Sequence, residues 1–269
     1  MAPVLTPAAG LLRSRWRRRI VGRAADRAAT LSGMRLLVLA PHPDDETFGC
    51  GALIARAAAA GQPVTVVVAT DGARSATSDT LGPEDLVALR RTELRAACER
   101  LGVTELVELG YRDGTLDDRG TALAADVAAA VARHRPEAVL VPCAQDHHPD
   151  HRALHVAAVA AVRGSPRPPL LLAYPVWAWH AAPLFLGTGN RRALPGLWLW
   201  AARQYASVRW WRVPTDGHLE RKRAAVAAYA SQISNYTGEP GWSFLPPSFV
   251  AAFLGGDEVF LPVDVAGSH

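Results

Sequence analysis

Residues 35–70 read RLLVLAPHPDDETFGCGALIARAAAAGQPVTVVVAT, and this stretch decides the fold. Arg35–Ala40 is an apolar run of strand length, Glu46–Ala60 has helical character and is stopped by Gly61, and Val64–Ala69 is a second run rich in β-branched valine. Strand, helix and strand in such close succession form a βαβ unit, whose two strands lie parallel. The pattern then repeats outward. After a polar loop, the spacing predicts a helix over Leu86–Leu101, a strand at Leu106–Leu109, a helix over Ala122–His134 and a strand at Ala138–Pro142. A helix over His151–Val162 and a strand at Leu170–Tyr174 complete the run. Such alternation predicts an α/β fold, a single Rossmann-like domain with a mostly parallel sheet and helices on both faces. The domain is expected over 34–269, preceded by a basic arm over 1–33. Its last third is less regular, with an aromatic stretch to Trp211, a helix near Leu219–Gln232, a Pro/Gly loop and a strand around Val259–Val263. No internal repeat or linker interrupts it.

Composition narrows the class further. With 269 residues, 49% hydrophobic and 20% charged, the chain is neither disordered nor fibrous. Three scattered cysteines (Cys50, Cys98 and Cys143) make no disulfide framework, so a reducing, cytoplasmic setting is expected. The net charge of +4 is unevenly placed: residues 1–30 hold seven arginines against Asp26, which leaves the body at −2. That distribution argues against nucleic acid as a partner, since phosphate neutralisation needs clustered charge on the domain itself. In the arm, Leu12, Trp16 and Ile20 recur at helical spacing. They fit a short amphipathic helix, either packed on the domain or in peripheral contact with a membrane surface. Pro168–Asn190 carries no charge but is broken by four prolines, which predicts a buried strand and an aromatic loop rather than a membrane span. Oligomeric state is not encoded in any of these features.

Two constellations carry the chemistry. Pro41-His42-Pro43-Asp44-Asp45-Glu46 directly follows the first strand, and Asp146-His147-His148-Pro149-Asp150-His151 follows the strand ending at Pro142. An N-cap would need only one of the acids in the first cluster and leaves His42 and the second carboxylate unexplained. Ligands of parallel sheets bind beyond the carboxyl ends of the strands, where both clusters fall. Histidine and carboxylate together suit Zn²⁺ or another divalent transition metal. Gly49-Cys50-Gly51 lies inside a predicted helix, where close helix–sheet packing explains it better than a phosphate loop does. Glu46 reads as a supporting or first-turn acid, and His147, Asp150 and His155 as scaffolding. The tryptophans at 177, 179, 198, 200, 210 and 211 are expected in the core and the cleft wall.

His42-Pro-Asp-Asp-Glu46 followed by His148-Pro-Asp-His151 resembles the PIG-L/LmbE-like family of zinc-dependent N-acetylglucosaminyl deacetylases. Thr70-Asp-Gly72, Arg90-Arg-Thr-Glu93, Gly110-Tyr-Arg-Asp113, Lys222 and Tyr229-Ala-Ser-Gln232 are similar to the family as well. The resemblance implies His42, Asp45 and His151 as zinc ligands, Asp44 as general base, and a protonated His148 facing the oxyanion. It implies Arg90 and Asp113 as contacts to the substrate sugar; as plain residues they could equally form a surface ion pair. The expected function is zinc-dependent removal of an N-acetyl or other N-acyl group from a small-molecule amino-sugar conjugate. The alternatives keep the zinc site for a lipid-linked or antibiotic N-acyl sugar or a small amide, or make the chain a non-catalytic metal- or nucleotide-binding module.

Overall fold

The computed structural model describes residues 7–75, 78–177, 179 and 208–265, with side chains from residue 14 onward. The chain opens with α1 (Pro7–Val21), β1 (Ala25–Asp26) and α2 (Ala28–Ser32). The regular βα alternation follows as β2 (Leu36–Ala40), α3 (Asp45–Ala59), β3 (Val64–Thr70), α4 (Pro83–Leu101) and β4 (Glu105–Tyr111). A 3₁₀ turn, Leu116–Arg119, leads into α5 (Gly120–His134), β5 (Ala138–Pro142), α6 (Pro149–Arg163) and β6 (Leu170–Tyr174). Beyond residue 207 come β7 (Trp211–Val213), α7 (Leu219–Ala228), α8 (Ala230–Ile233), α9 (Pro247–Phe253) and β8 (Glu258–Pro262).

Among the described residues the strands form one sheet in the order β1-β7-β8-β6-β5-β2-β3-β4. The pairs β2–β3, β2–β5, β3–β4 and β5–β6 are parallel, whereas β8 runs antiparallel to both β6 and β7. Every residue of β2 is buried, as a strand covered on both faces must be. Its side chains alternate between two cores. Leu36, Val38 and Ala40 meet α3, α4, α7 and α9, while Leu37 and Leu39 meet α5 and α6. Each buried leucine or valine contributes roughly 1.5–3 kcal/mol relative to exposure.

The order also places the site. The chain runs outward through β2, β3 and β4, then returns to lay β5 on the other side of β2. At that reversal the loops after β2 and β5 diverge and leave a crevice. Both clusters read from the sequence sit there.

Three features of the less regular parts of the chain were not foreseen as they stand. The expected helix near Leu219–Gln232 is divided at Tyr229 (φ −82°, ψ 52°), whose buried hydroxyl donates to Glu46. β1 and β7 pair in parallel over only two residues, too few to show a period. The helix Pro247–Phe253 lies inside the expected Pro/Gly loop, with proline in its first turn, where a missing N–H costs nothing. Trp16 and Ile20 of the arm are buried in the same core as Leu36, turning that part of the expected stripe inward. The side chain of Leu12 lies outside the described residues, as does most of 178–207 with Trp198 and Trp200. No helix among the described residues is long and apolar enough to cross a membrane.

Helix α3 is held by distant residues. Glu258 of β8 accepts the backbone N–H groups of Ala52 and Leu53 at 2.7 and 2.9 Å. Lys222 of α7 donates to the Phe48 carbonyl and to Glu258, both at 2.7 Å, with both side chains buried. Gly49 lets α3 approach the sheet: a Cβ there would lie 2.2 Å from the ring of Tyr174. Tyr174 cannot yield, because it is wholly buried and its hydroxyl is bonded to the Leu39 carbonyl. Gly49→Ala is therefore expected to destabilise the protein by about 3 kcal/mol or more, at the upper end of overpacking costs. Gly120→Ala, with open space around its Cβ, serves as the neutral control. Urea midpoints measure both; equal midpoints would refute the close-packing reading of Gly49.

Candidate metal centre and cleft

The loop after β2 does unusual work at Asp44. This residue occupies the N-cap position of α3, yet its side chain caps nothing. Its backbone has φ 129° and ψ −28°, a region that L-residues rarely adopt and that is held only when the surroundings enforce it. The enforcement is visible. Arg90 donates to the Pro43 carbonyl, and the Asp44 N–H donates to Glu46 Oε2 at 3.0 Å, so one peptide group is gripped from both sides. Glu46 is wholly buried and accepts from Tyr229 and Thr47 through its other oxygen. Arg90 also reaches the Asp44 carboxylate and the Gly72 carbonyl, each at 3.2 Å. Gly72 has φ +65°, and a Cβ there would press on Arg90 and Pro43 at 3.0 Å.

Histidines and acids converge beside Asp44. Asp45 Oδ2 lies 3.1 Å from His42 Nδ1 and 3.2 Å from His151 Nε2. His42 Nε2 lies 3.1 Å from Asp150 Oδ2 and 3.3 Å from Asp113 Oδ1. Potential ligand atoms of His42, His148 and His151 fall within 4.8 Å of one another, and so do those of His42, Asp113, His148 and Asp150. His151 is wholly buried; its Nδ1 is bonded to Asp146 at 2.9 Å, and its Nε2 faces the Asp45 carboxylate without hydrogen-bond geometry. A carboxylate bonded to one nitrogen of an imidazole, with the other nitrogen turned toward a second candidate ligand, is how proteins orient a metal-ligating histidine.

The electrostatics point the same way. Burial works to lower His42, but hydrogen bonds with Asp113, Asp150 and Asp45 leave its pKa well above the usual range. For His151, burial is likewise outweighed, by Asp45 and Asp146, and the pKa rises to about 9. Burial would raise Asp45, yet His151 and His42 hold it well below the carboxylate range. The same balance brings Asp113 to about 2, through its hydrogen bond with His42. The cluster is thus short of positive charge and takes it up as protons, which a divalent cation would displace. Asp44 goes the other way: burial, opposed by Arg90 and aided by Asp45 and Glu46, pushes it up to about 8.

His148 differs from expectation. Burial, with His42 and His151 nearby, lowers its pKa to about 4, so at neutral pH the ring is uncharged rather than protonated. Its Nδ1 accepts the Asp150 N–H at 3.3 Å, which leaves the ring's proton on Nε2.

Six of the seven residues expected at the site (His42, Asp44, Asp45, Arg90, Asp113 and His148) line one cleft of about 500 Å³, with His151 buried behind it. Arg90 is 2% exposed, so the surface-ion-pair reading does not hold. Asp150, expected as scaffolding, accepts the N–H groups of Gly114 and Leu116 and so carries the loop that bears Asp113. It also contacts His42 directly. His155 is scaffolding, bonded to the Pro142 carbonyl at 2.8 Å. The sequence reading missed the bond from Asp146 to His151; spacing alone does not show which of several nearby acids folds back.

Fold and site together define an α/β protein with a candidate metal centre at the carboxyl edge of its sheet. A family profile described as PIG-L: GlcNAc-PI de-N-acetylase matches residues 37–162. A Nakamurella multipartita protein named 1D-myo-inositol 2-acetamido-2-deoxy-alpha-D-glucopyranoside deacetylase is 32% identical over 253 residues, covering 76% of this chain and 82% of that one. The chain belongs to the PIG-L family. A Bacillus cereus protein named "Probable N-acetyl-alpha-D-glucosaminyl L-malate deacetylase 2" is 32% identical over 137 residues, 49% of this chain and 62% of that one. The match thus spans less than two thirds of that relative. The fold is shared with the N,N'-diacetylchitobiose deacetylase of Pyrococcus horikoshii, at a TM-score of 0.63 and 20% identity over 100% of this chain and 97% of that one.

Proposed function

We propose that this chain is a zinc-dependent deacetylase that hydrolyses the N-acetyl group of an amino-sugar conjugate such as an N-acetylglucosaminyl glycoside. The observation that carries this reading is the convergence of His42, Asp45 and His151 beside an Asp44 that is held in strain and caps no helix. The names of the relatives support the substrate class. His42, Asp45 and His151 would hold the ion, and the Nε2 of His151, 3.2 Å from Asp45 Oδ2, fits that role. A bound divalent cation would acidify a water and polarise the acyl carbonyl.

The remaining chemistry belongs to the chain. Arg90 holds one oxygen of Asp44, and the other has no protein partner among the described residues, on a side chain that lines the cleft. In its ionised form, a fraction that grows as pH rises toward about 8, Asp44 takes the proton of the attacking water and returns it to the departing amine. His148, with its proton on Nε2, donates to the carbonyl oxygen as negative charge develops there. Asp113 and Arg90 both line the cleft, where Asp113 would accept from a sugar hydroxyl and Arg90 keeps Asp44 in place.

His151→Ala is expected to lower bound zinc from about one ion per chain to background and to abolish amine release. Metal analysis of the purified protein, paired with a screen of N-acetylated sugar conjugates with and without chelator, checks both. Full metal occupancy and activity in the variant would remove His151 from the ligand set.

A further inference from the structure

The cleft has two unlike sets of lining residues: beside the acids and imidazoles, Trp177, Phe244, Leu245, Phe249 and Phe48 line it too. Trp177 and Phe249 pack ring to ring at 5.0 Å, and Phe249 meets Phe48 at 5.3 Å. Phe244 is different, since 42% of it is exposed. The fold keeps it so. On one side, Trp242 donates from its indole to the Ser231 carbonyl at 2.9 Å; on the other, the Leu245 N–H donates to the Gln232 carbonyl at 2.7 Å. An apolar ring held open at the mouth of a cleft, between two anchored neighbours, is preorganised to be covered by a ligand. Trp177 is anchored as well: the Val176 N–H, one residue before it, donates to Asp146, the acid that orients His151.

A sugar positioned with its acetamide at His42 and Asp44 would direct its glycosidic substituent along this cleft. We infer that Phe244, with Trp177 and Phe249, forms a subsite for an apolar aglycone, aryl or alkyl, on the amino sugar. The inference rests on the deacetylase reading for its placement of the sugar. The polar residues supply the chemistry, and the aromatic ones select among conjugates that share the same sugar.

Deacetylated glycosides are not turned over, so they test the subsite by binding alone. Calorimetric titration of the full chain should show phenyl or octyl glucosaminide binding at least about tenfold tighter than methyl glucosaminide, a difference of about 1.4 kcal/mol. Phe244→Ser should bring all three within roughly threefold of one another, and Phe244→Tyr should keep the wild-type ratio. Equal affinities in the wild type, no measurable binding of the phenyl and octyl ligands, or a ratio untouched by Phe244→Ser would each overturn the subsite. Amine release from the N-acetylated glycosides is measured separately. A preserved binding ratio without any amine release overturns the deacetylase reading and leaves the subsite standing, whereas amine release with a flat ratio does the reverse.

Discussion

Replacing Asp44 with asparagine is expected to cut turnover by about 10²–10⁴-fold while zinc and fold are retained. The substitution is conservative in every respect but one. An asparagine oxygen can still accept from Arg90, the backbone N–H can still donate to Glu46, and asparagine tolerates positive φ better than most residues. What is lost is the ability to take a proton and give it back. Turnover number and metal content measured on the same preparation decide the matter. A variant with near-wild-type turnover would move the proton-transfer role elsewhere, and one that loses its metal would make Asp44 a ligand.

The second large effect concerns stability. Lys222→Met should destabilise the protein by about 3–5 kcal/mol, because it strands a buried charge. Glu258 would remain in place, still bonded to the Ala52 and Leu53 N–H groups but without its cation, and the Phe48 carbonyl would lose its donor. The double variant Lys222→Met/Glu258→Gln should recover part of the loss, since a neutral amide can still accept one of those N–H groups. Urea denaturation of the three proteins measures this. An unchanged midpoint in the single variant would show that the pair does not brace α3.

How far the sequence reaches can be judged from these residues. The central strands were legible because a strand covered on both faces is a near-continuous apolar run, as β2 and β5 are throughout and β3 is apart from Thr65 and Thr70. The two motifs were legible because prolines and turn positions fix short-range geometry. What stayed hidden is long-range. Nothing in the local pattern says that Asp150 captures Gly114 and Leu116, or that Tyr229 breaks its helix to reach Glu46. The strain at Asp44 was hidden as well, since it is imposed by Arg90 and Glu46 rather than by Asp44 itself. The neutral state of His148 depends on burial and on two imidazoles brought near it by folding. Sequence spacing identified the chemical groups; tertiary packing sets their protonation and direction.

The bracing of α3 has a consequence in time. The helix that begins at Asp45 leaves the ribosome early, but Lys222 and Glu258, which occupy its polar groups, follow roughly two hundred residues later. At synthesis rates of about 5–20 residues per second, that is an interval of roughly ten to forty seconds. During it, the segment bearing Asp44 and Asp45 is without the clamps that hold it in the finished fold. A nascent chain released before residue 258 would carry both motifs intact and still lack the contacts that close the helix behind them.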